Sequence, residues 1–176
     1  MKIKNLFFVL IFCYGCSKVV PRKPISPRPS STVFKQTIKE YKRINTLEED
    51  KIKTLIANDS TKKYLLSPNG FWYTYIHKIE ENLPTPKTAQ EVTFAYSIAD
   101  FKDSVIYSTK ELGIKKYIVD KEDFISGLQY GIKLMKIGET ITFVLPYYNA
   151  FGSTGDGNKI KANQSIKSTV TLINIK

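Results

Sequence analysis

From residue 70 onward, short runs of apolar, aromatic and β-branched residues, some of them alternating with polar ones, are separated by turn residues, the pattern of strands. After the turn Ser67-Pro68-Asn69-Gly70, the aromatic run Phe71-Trp72-Tyr73-Thr74-Tyr75-Ile76 predicts a strand. Alternation of Val92, Phe94, Tyr96 and Ile98 predicts another over residues 91–99. Further strands are expected over 105–108, 115–119, 140–145 and 168–175, the last with Val170, Leu172 and Asn174 facing one way. Residues 125–135 have room for only a short helix.

Upstream the period changes. Phe34, Ile38 and Tyr41, then Ile52, Leu55 and Ile56, stand at helical spacing and predict helix across residues 33–58. Thr46-Leu47-Glu48-Glu49 fits a capping box, so a second helix is expected to start near Leu47. The narrow apolar stripe suits a helix lying on the domain, with a partner-binding or dimerising helix as the alternative. Together these elements predict an α+β fold, an antiparallel β-sheet wrapped around a short α-helix with an N-terminal helical extension. The organisation expected is a leader over 1–15, a tether over 16–32, the helical extension over 33–66 and one domain over 67–176.

The leader rests on Lys2 and Lys4, followed by an apolar run from Leu6 to Phe12 that is too short to span a bilayer. Tyr14-Gly15-Cys16-Ser17 resembles a bacterial lipobox, which would make Cys16 the acylated mature N-terminus; Cys13 stands where that motif usually has Leu. An ordinary secretory signal with two incidental cysteines is the alternative. Cleavage at Cys16 would remove Cys13 and leave no disulfide to form. Pro21, Pro24, Pro27 and Pro29, set among Arg22, Lys23, Arg28 and serines, read as an extended spacer of up to ~40 Å, a PxxP docking ligand being the alternative. Export, with lipid attachment to a bacterial membrane and a periplasmic position, is the expected localisation.

Composition narrows the class. A chain of 176 residues, 42% hydrophobic and 24% charged, suits one globular domain with one core. The net charge of +11 comes from scattered lysines with no nucleic-acid-binding motif, so no nucleic acid partner is expected. Basic residues near a lipid anchor would favour an anionic membrane surface instead. His77, the single histidine, falls in a predicted strand and reads as packed or solvated rather than as a lone catalytic base. No His or Cys cluster has metal-ligand spacing, and no cofactor is expected. Glu80-Glu81 and Glu48-Glu49-Asp50 read as solvated surface and a helix N-terminus. Gly152-Ser153-Thr154-Gly155-Asp156-Gly157 lacks the Lys-Ser/Thr and the opening helix of a phosphate loop and reads as a flexible loop.

Three runs in the last third carry more: Phe124-Ile125-Ser126-Gly127-Leu128, Met135-Lys136-Ile137-Gly138-Glu139, and Leu145-Pro146-Tyr147-Tyr148-Asn149-Ala150-Phe151-Gly152. Their spacing resembles the C-terminal half of FKBP-type peptidyl-prolyl isomerases, and the likeness extends over about residues 70–176. The resemblance implies a proline pocket built from Tyr96, Ile106, Tyr107, Phe124, Ile125, Leu128, Phe151 and Ile160. In it the Phe124-Ile125 pair would line the wall and donate a backbone amide to the substrate. It implies proline-containing polypeptides as partners and rotation about the bond preceding proline as the reaction.

The departures from the family pattern are specific. Tyr107 replaces an acidic residue, Leu128 replaces the aromatic floor, Phe151 lacks a tyrosine hydroxyl, and Ser168 replaces an aromatic residue of the last strand. Hydroxyls of Tyr107 and Tyr148 are candidates to substitute for the one missing at 151. With the lipobox, the Arg22-Lys23-Pro24 linker and the helix before Gly70, the chain resembles a lipoprotein branch of this family associated with gliding motility in Bacteroidetes. That resemblance implies help in folding components of the gliding and secretion machinery. A membrane-tethered chaperone or binding module with the same shape and little turnover is the second expectation.

Overall fold

The computed structural model describes residues 31–176, so the leader, Cys16 and the prolines of the tether lie outside the described residues. The chain divides into two compact units, residues 1–40 and 41–176. In the first, residues 31–40 are helical, and the Thr37 hydroxyl donates to the Val33 carbonyl at 2.9 Å. In the second, the rest of helix α1 (Ser31–Asn58) belongs to the same unit as the sheet. Seven strands follow: β1 (Leu65–Leu66), β2 (Trp72–His77), β3 (Glu91–Ala99), β4 (Val105–Tyr107), β5 (Ile114–Ile118), β6 (Thr140–Leu145) and β7 (Ile166–Ile175). Helix α2 (Thr109–Leu112) precedes β5, α3 (Ser126–Ile132) precedes β6, and a 3-10 turn (Tyr147–Asn149) follows β6.

All strand pairs are antiparallel in the order β1-β2-β6-β7-β3-β4, with β5 also on β3. The α+β architecture is the expected one, and the boundaries of β3 and β6 coincide with the strands expected over 91–99 and 140–145. The main core lies between the sheet and α3. Phe94, Ile98, Phe143, Leu145, Val170 and Leu172 from the strands meet Leu128, Ile132 and Met135. Alpha-3 can approach this closely because of its glycines: a Cβ on Gly131 would stand 2.6 Å from the Phe143 ring, and one on Gly127 2.8 Å from the Asn149 carbonyl oxygen. Beyond the helix, the buried Glu139 carboxylate accepts from the Ile79 amide at 3.1 Å and the Lys136 amide at 2.8 Å. This fastens the chain after β2 to the turn between α3 and β6.

The other face of the sheet carries a smaller core in which Ile52 of α1 is buried against Trp72 and Val144, with Ile56, Tyr64 and Phe101 around them. From residue 41 on, the helix therefore lies on the domain, as its narrow stripe predicts. Its interior differs from expectation: no new helix starts near Leu47. The Thr46 hydroxyl donates backward to the Lys42 carbonyl at 3.0 Å instead of capping forward, and no Pro or Gly between residues 33 and 58 stops the helix. Asn174 also departs from expectation. Beta-3 and β7 shift register between Thr93 and Phe94, so alternation breaks; Asn174 is exposed and Ile175 packs on the core.

Ile52 gives the measure of the second core. Ile52→Ala is expected to cost about 2 to 5 kcal/mol of stability as a buried large-to-small change. Urea unfolding checks this, and a loss under about 0.5 kcal/mol, the range of surface substitutions, would mean that α1 is not seated on the sheet.

Candidate functional site

Strand alternation places Phe94 and Tyr96 on the α3 side of β3, and β4 adds Ile106. The segment leading into α3 contributes Phe124 and Ile125, the helix itself Leu128, and the β6–β7 connection Phe151 and Ile160. All eight residues implied by the resemblance, Tyr107 included, belong to one apolar cluster. Leu128 is 0% and Ile160 3% exposed, while Tyr96, Ile106, Tyr107, Phe124, Ile125 and Phe151 are half-buried in the same cluster. Aromatic edges set the wall: the Phe124 ring lies 5.6 Å from Tyr96 at 81°, 5.6 Å from Phe94 and 5.8 Å from Tyr117. Trp72 packs in the core on the other face and takes no part.

Two of the donors here that lack an internal partner among the described residues are set by this geometry. One is the amide of Ile125, whose own carbonyl accepts from the Leu128 and Gln129 amides at 2.9 Å each. Gln129 Nε2 also donates to the Phe124 carbonyl at 2.8 Å, which fixes the main chain at this corner. The other is the Tyr96 hydroxyl, which burial pushes above its ordinary range so that it keeps its proton.

The two hydroxyls expected as substitutes for the missing one are both committed elsewhere. Tyr107 donates to Asp156 Oδ2 at 2.5 Å. Tyr148 donates to Glu49 Oε1 of α1 at 2.9 Å, and burial together with that carboxylate pushes its phenol far above its ordinary range. Glu48 and Glu49 are thus mid-helix residues facing the domain, not a solvated N-terminus, because the helix runs unbroken through them.

Asp156 and Lys159 were not legible as site residues. The loop over 152–157, expected to be flexible, is tied down at Asp156. Its Oδ1 accepts from the Asn158 amide at 2.9 Å and the Ile160 amide at 2.8 Å, while Oδ2 holds Tyr107. Gly155 permits this: its φ is +73°, and a Cβ there would stand 2.2 Å from the Ile160 carbonyl oxygen. Lys159 Nζ donates to the Ile106 carbonyl at 3.2 Å, lies 4.6 Å from the centre of the Tyr107 ring and pairs with Glu111. The only sequence sign was the Gly155-Asp156-Gly157 turn, where an Asp side chain commonly caps backbone amides two residues on.

Among the described residues no group of three or more His, Cys, Asp or Glu could hold a metal ion. What the site offers is an apolar surface with neutral donors, and its carboxylate, Asp156, is engaged by Tyr107 and two backbone amides. It can bind an uncharged, apolar segment and hydrogen-bond one carbonyl.

The Asp156 tie sets a pH dependence. Partial desolvation opposes ionisation, but hydrogen bonds from Tyr107, Asn158 and Ile160 outweigh it and hold the carboxyl below its ordinary 3.8. A depressed carboxyl pKa contributes stability that is present above 3.8 and is lost as pH falls through the folded value. Carbon-detected NMR titration should place Asp156 below 3.8 and move it upward in Tyr107→Phe. A wild-type value at or above 3.8 would contradict the tie.

The same topology occurs in known proteins. FkpA from Escherichia coli superimposes with a TM-score of 0.61 at 19% identity, covering 85% of this chain and 74% of that one. A peptidyl-prolyl cis-trans isomerase from Pseudomonas syringae matches at a TM-score of 0.59 and 20% identity, over 77% of this chain and 95% of that one. The N-terminal domain of FKBP42 from Arabidopsis thaliana gives 0.57 and 16%, over 65% and 92%. At these identities the likeness bears on the fold alone. The sequence itself goes further: the family model of the FKBP-type peptidyl-prolyl cis-trans isomerases matches residues 83–173, just over half of the chain. The chain belongs to the FKBP-type peptidyl-prolyl cis-trans isomerase family.

Proposed function

We propose that this protein is a peptidyl-prolyl isomerase for exported polypeptides, held at a bacterial membrane by a lipid on Cys16 and working in the periplasm. The observation that carries the reaction is that Tyr96, Ile106, Phe124, Ile125, Phe151 and Ile160 share one apolar cluster with the buried Leu128, in a chain of this family. Prolyl rotation needs no proton relay or nucleophile, because its barrier of roughly 18 to 20 kcal/mol is amide resonance. An apolar surface disfavours the charge-separated resonance form, and one or two hydrogen bonds hold the twisted carbonyl, so catalysis is selective binding of the twisted state. The Ile125 amide and the Tyr96 hydroxyl are the donors for that carbonyl. The Arg22-Lys23-Pro24 linker and the lipobox support placing the protein in the gliding-associated lipoprotein branch, with components of the gliding and secretion machinery as substrates.

A second reading, a tethered chaperone that binds proline-containing segments with little turnover, is favoured by Phe151 and by the commitment of Tyr107 to Asp156. A protease-coupled assay on an Ala-Leu-Pro-Phe peptide separates the two. Acceleration proportional to enzyme supports the isomerase; none at micromolar enzyme supports the chaperone.

Within the isomerase reading, Tyr96→Phe should lower kcat/KM by up to about tenfold, the loss of one neutral hydrogen bond of roughly 0.5 to 1.5 kcal/mol. Phe151→Tyr should raise it within the same range. Unchanged rates in both variants would remove these two side chains from the substrate contact. For the anchor, labelled lipid should be incorporated by the wild type and lost on Cys16→Ala; equal labelling of both would refute acylation at Cys16.

A further inference from the structure

The β6–β7 connection, residues 146–165, supplies Phe151 and Ile160, and a connection of twenty residues between adjacent strands needs something to hold its ends. Here one face of α1 touches both. At the outgoing end, the Tyr147 hydroxyl donates to Asn45 Oδ1 at 2.6 Å and the Tyr148 hydroxyl to Glu49 Oε1 at 2.9 Å. At the returning end, Ser165 Oγ donates to Glu48 Oε1 at 2.5 Å. Ser165 Oγ also accepts from the Tyr147 amide at 2.9 Å, so the two ends close on each other across the same hydroxyl. Asn45, Glu48 and Glu49 lie three and four residues apart on one helical face. From these ends the ties run inward: the Gly152 amide donates to the Tyr147 carbonyl at 2.8 Å, and the Asn163 amide to the Gly152 carbonyl at 3.0 Å.

We propose that Asn45, Glu48 and Glu49 of α1 are positioning residues for the proline site, acting through Tyr147, Tyr148 and Ser165 to fix where Phe151 and Ile160 stand. The extension is then part of the site's architecture and not only a spacer. This rests on the isomerase reading for its kinetic consequence, but the placement of the connection is a separate, structural consequence. Ile52, a few residues along the same helix, supplies the contrast, since it seats α1 through Trp72 and Val144 and makes none of these ties.

The experiment compares three full-length variants under conditions where each is folded: Glu48→Ala with Glu49→Ala, Glu48→Gln with Glu49→Gln, and Ile52→Ala. The alanine pair should lose roughly tenfold in kcat/KM on the Ala-Leu-Pro-Phe peptide, the scale of a small misplacement at a reacting centre. The glutamine pair, whose amide oxygens still accept, should restore it, and Ile52→Ala should stay within about twofold of wild type. An unchanged alanine pair, an equal loss in the glutamine pair, or an equal loss in Ile52→Ala would overturn the proposal. Hydrogen exchange at the Gly152 and Asn163 amides provides the arm independent of turnover: faster in the alanine pair alone supports the clamp, and unchanged exchange there refutes it. If wild type does not accelerate the peptide, the isomerase reading fails and exchange alone decides. If the alanine pair does not fold, Tyr148→Phe takes its place in both arms, with the same outcomes.

Discussion

Two glycines one turn apart let the backbone of α3 press directly onto the Phe143 and Leu145 side chains of β6, and the rest of the domain is arranged around that contact. Only hydrogen fits at Gly131 beneath the Phe143 ring or at Gly127 beneath Leu145 and the Asn149 carbonyl. Seated there, the helix turns Leu128 and Ile132 into the sheet's concave side. It also brings Ile125, the residue that precedes it, to the rim with an amide that has no internal acceptor among the described residues. A helix held a few ångströms further out would leave the core underpacked and remove the floor of the site. The glycines therefore set both stability and the depth of the candidate site.

The second layer of organisation lies in polar ties between elements far apart in sequence. Asp156 fastens the loop beyond Phe151 to β4 through Tyr107, and Lys159 reinforces the same edge through the Ile106 carbonyl. On the other side, α1 holds both ends of that connection through Asn45, Glu48 and Glu49. An apolar site with few hydrogen bonds to offer depends on shape, and shape in a long connection has to be imposed from outside it. The departures at Tyr107 and Phe151 fit this picture, since one hydroxyl is used for scaffolding and another is absent, which leaves Tyr96 and the Ile125 amide as the site's donors.

Much of this was legible in the residues. Two-residue alternation marked β3 to the residue, because Val92, Phe94 and Ile98 are buried while the residues between them are only half-buried; β6, buried on both faces, stood out as an apolar run instead. The residues that the motif spacings around Gly127, Gly138 and Gly152 single out fall in one apolar cluster. What escaped was set by contacts that leave no local pattern. Thr46 and Glu49 satisfy a capping box in sequence, yet the threonine bonds backward and both glutamates at 48 and 49 serve the connection. Asn174 obeyed the period of β7 until the register shift opposite Thr93 broke it. Asp156 lay in a turn whose sequence announces a turn but not its partner, and Tyr148 was read toward the site when its hydroxyl points to α1. The two-residue β1 and the four-residue α2 were too short to produce any periodic signal.

Catalysis by selective binding of a twisted amide has a direct signature in two-dimensional NMR exchange spectroscopy of an Ala-Leu-Pro-Phe peptide. Cis and trans resonances of the free peptide interconvert over tens to hundreds of seconds and give no exchange cross-peaks at sub-second mixing times. With a substoichiometric amount of this protein, cross-peaks between the two forms should appear, and they should weaken in Tyr96→Phe. Peptide signals that shift on titration, which reports binding, while no cross-peaks appear at any mixing time would contradict the account.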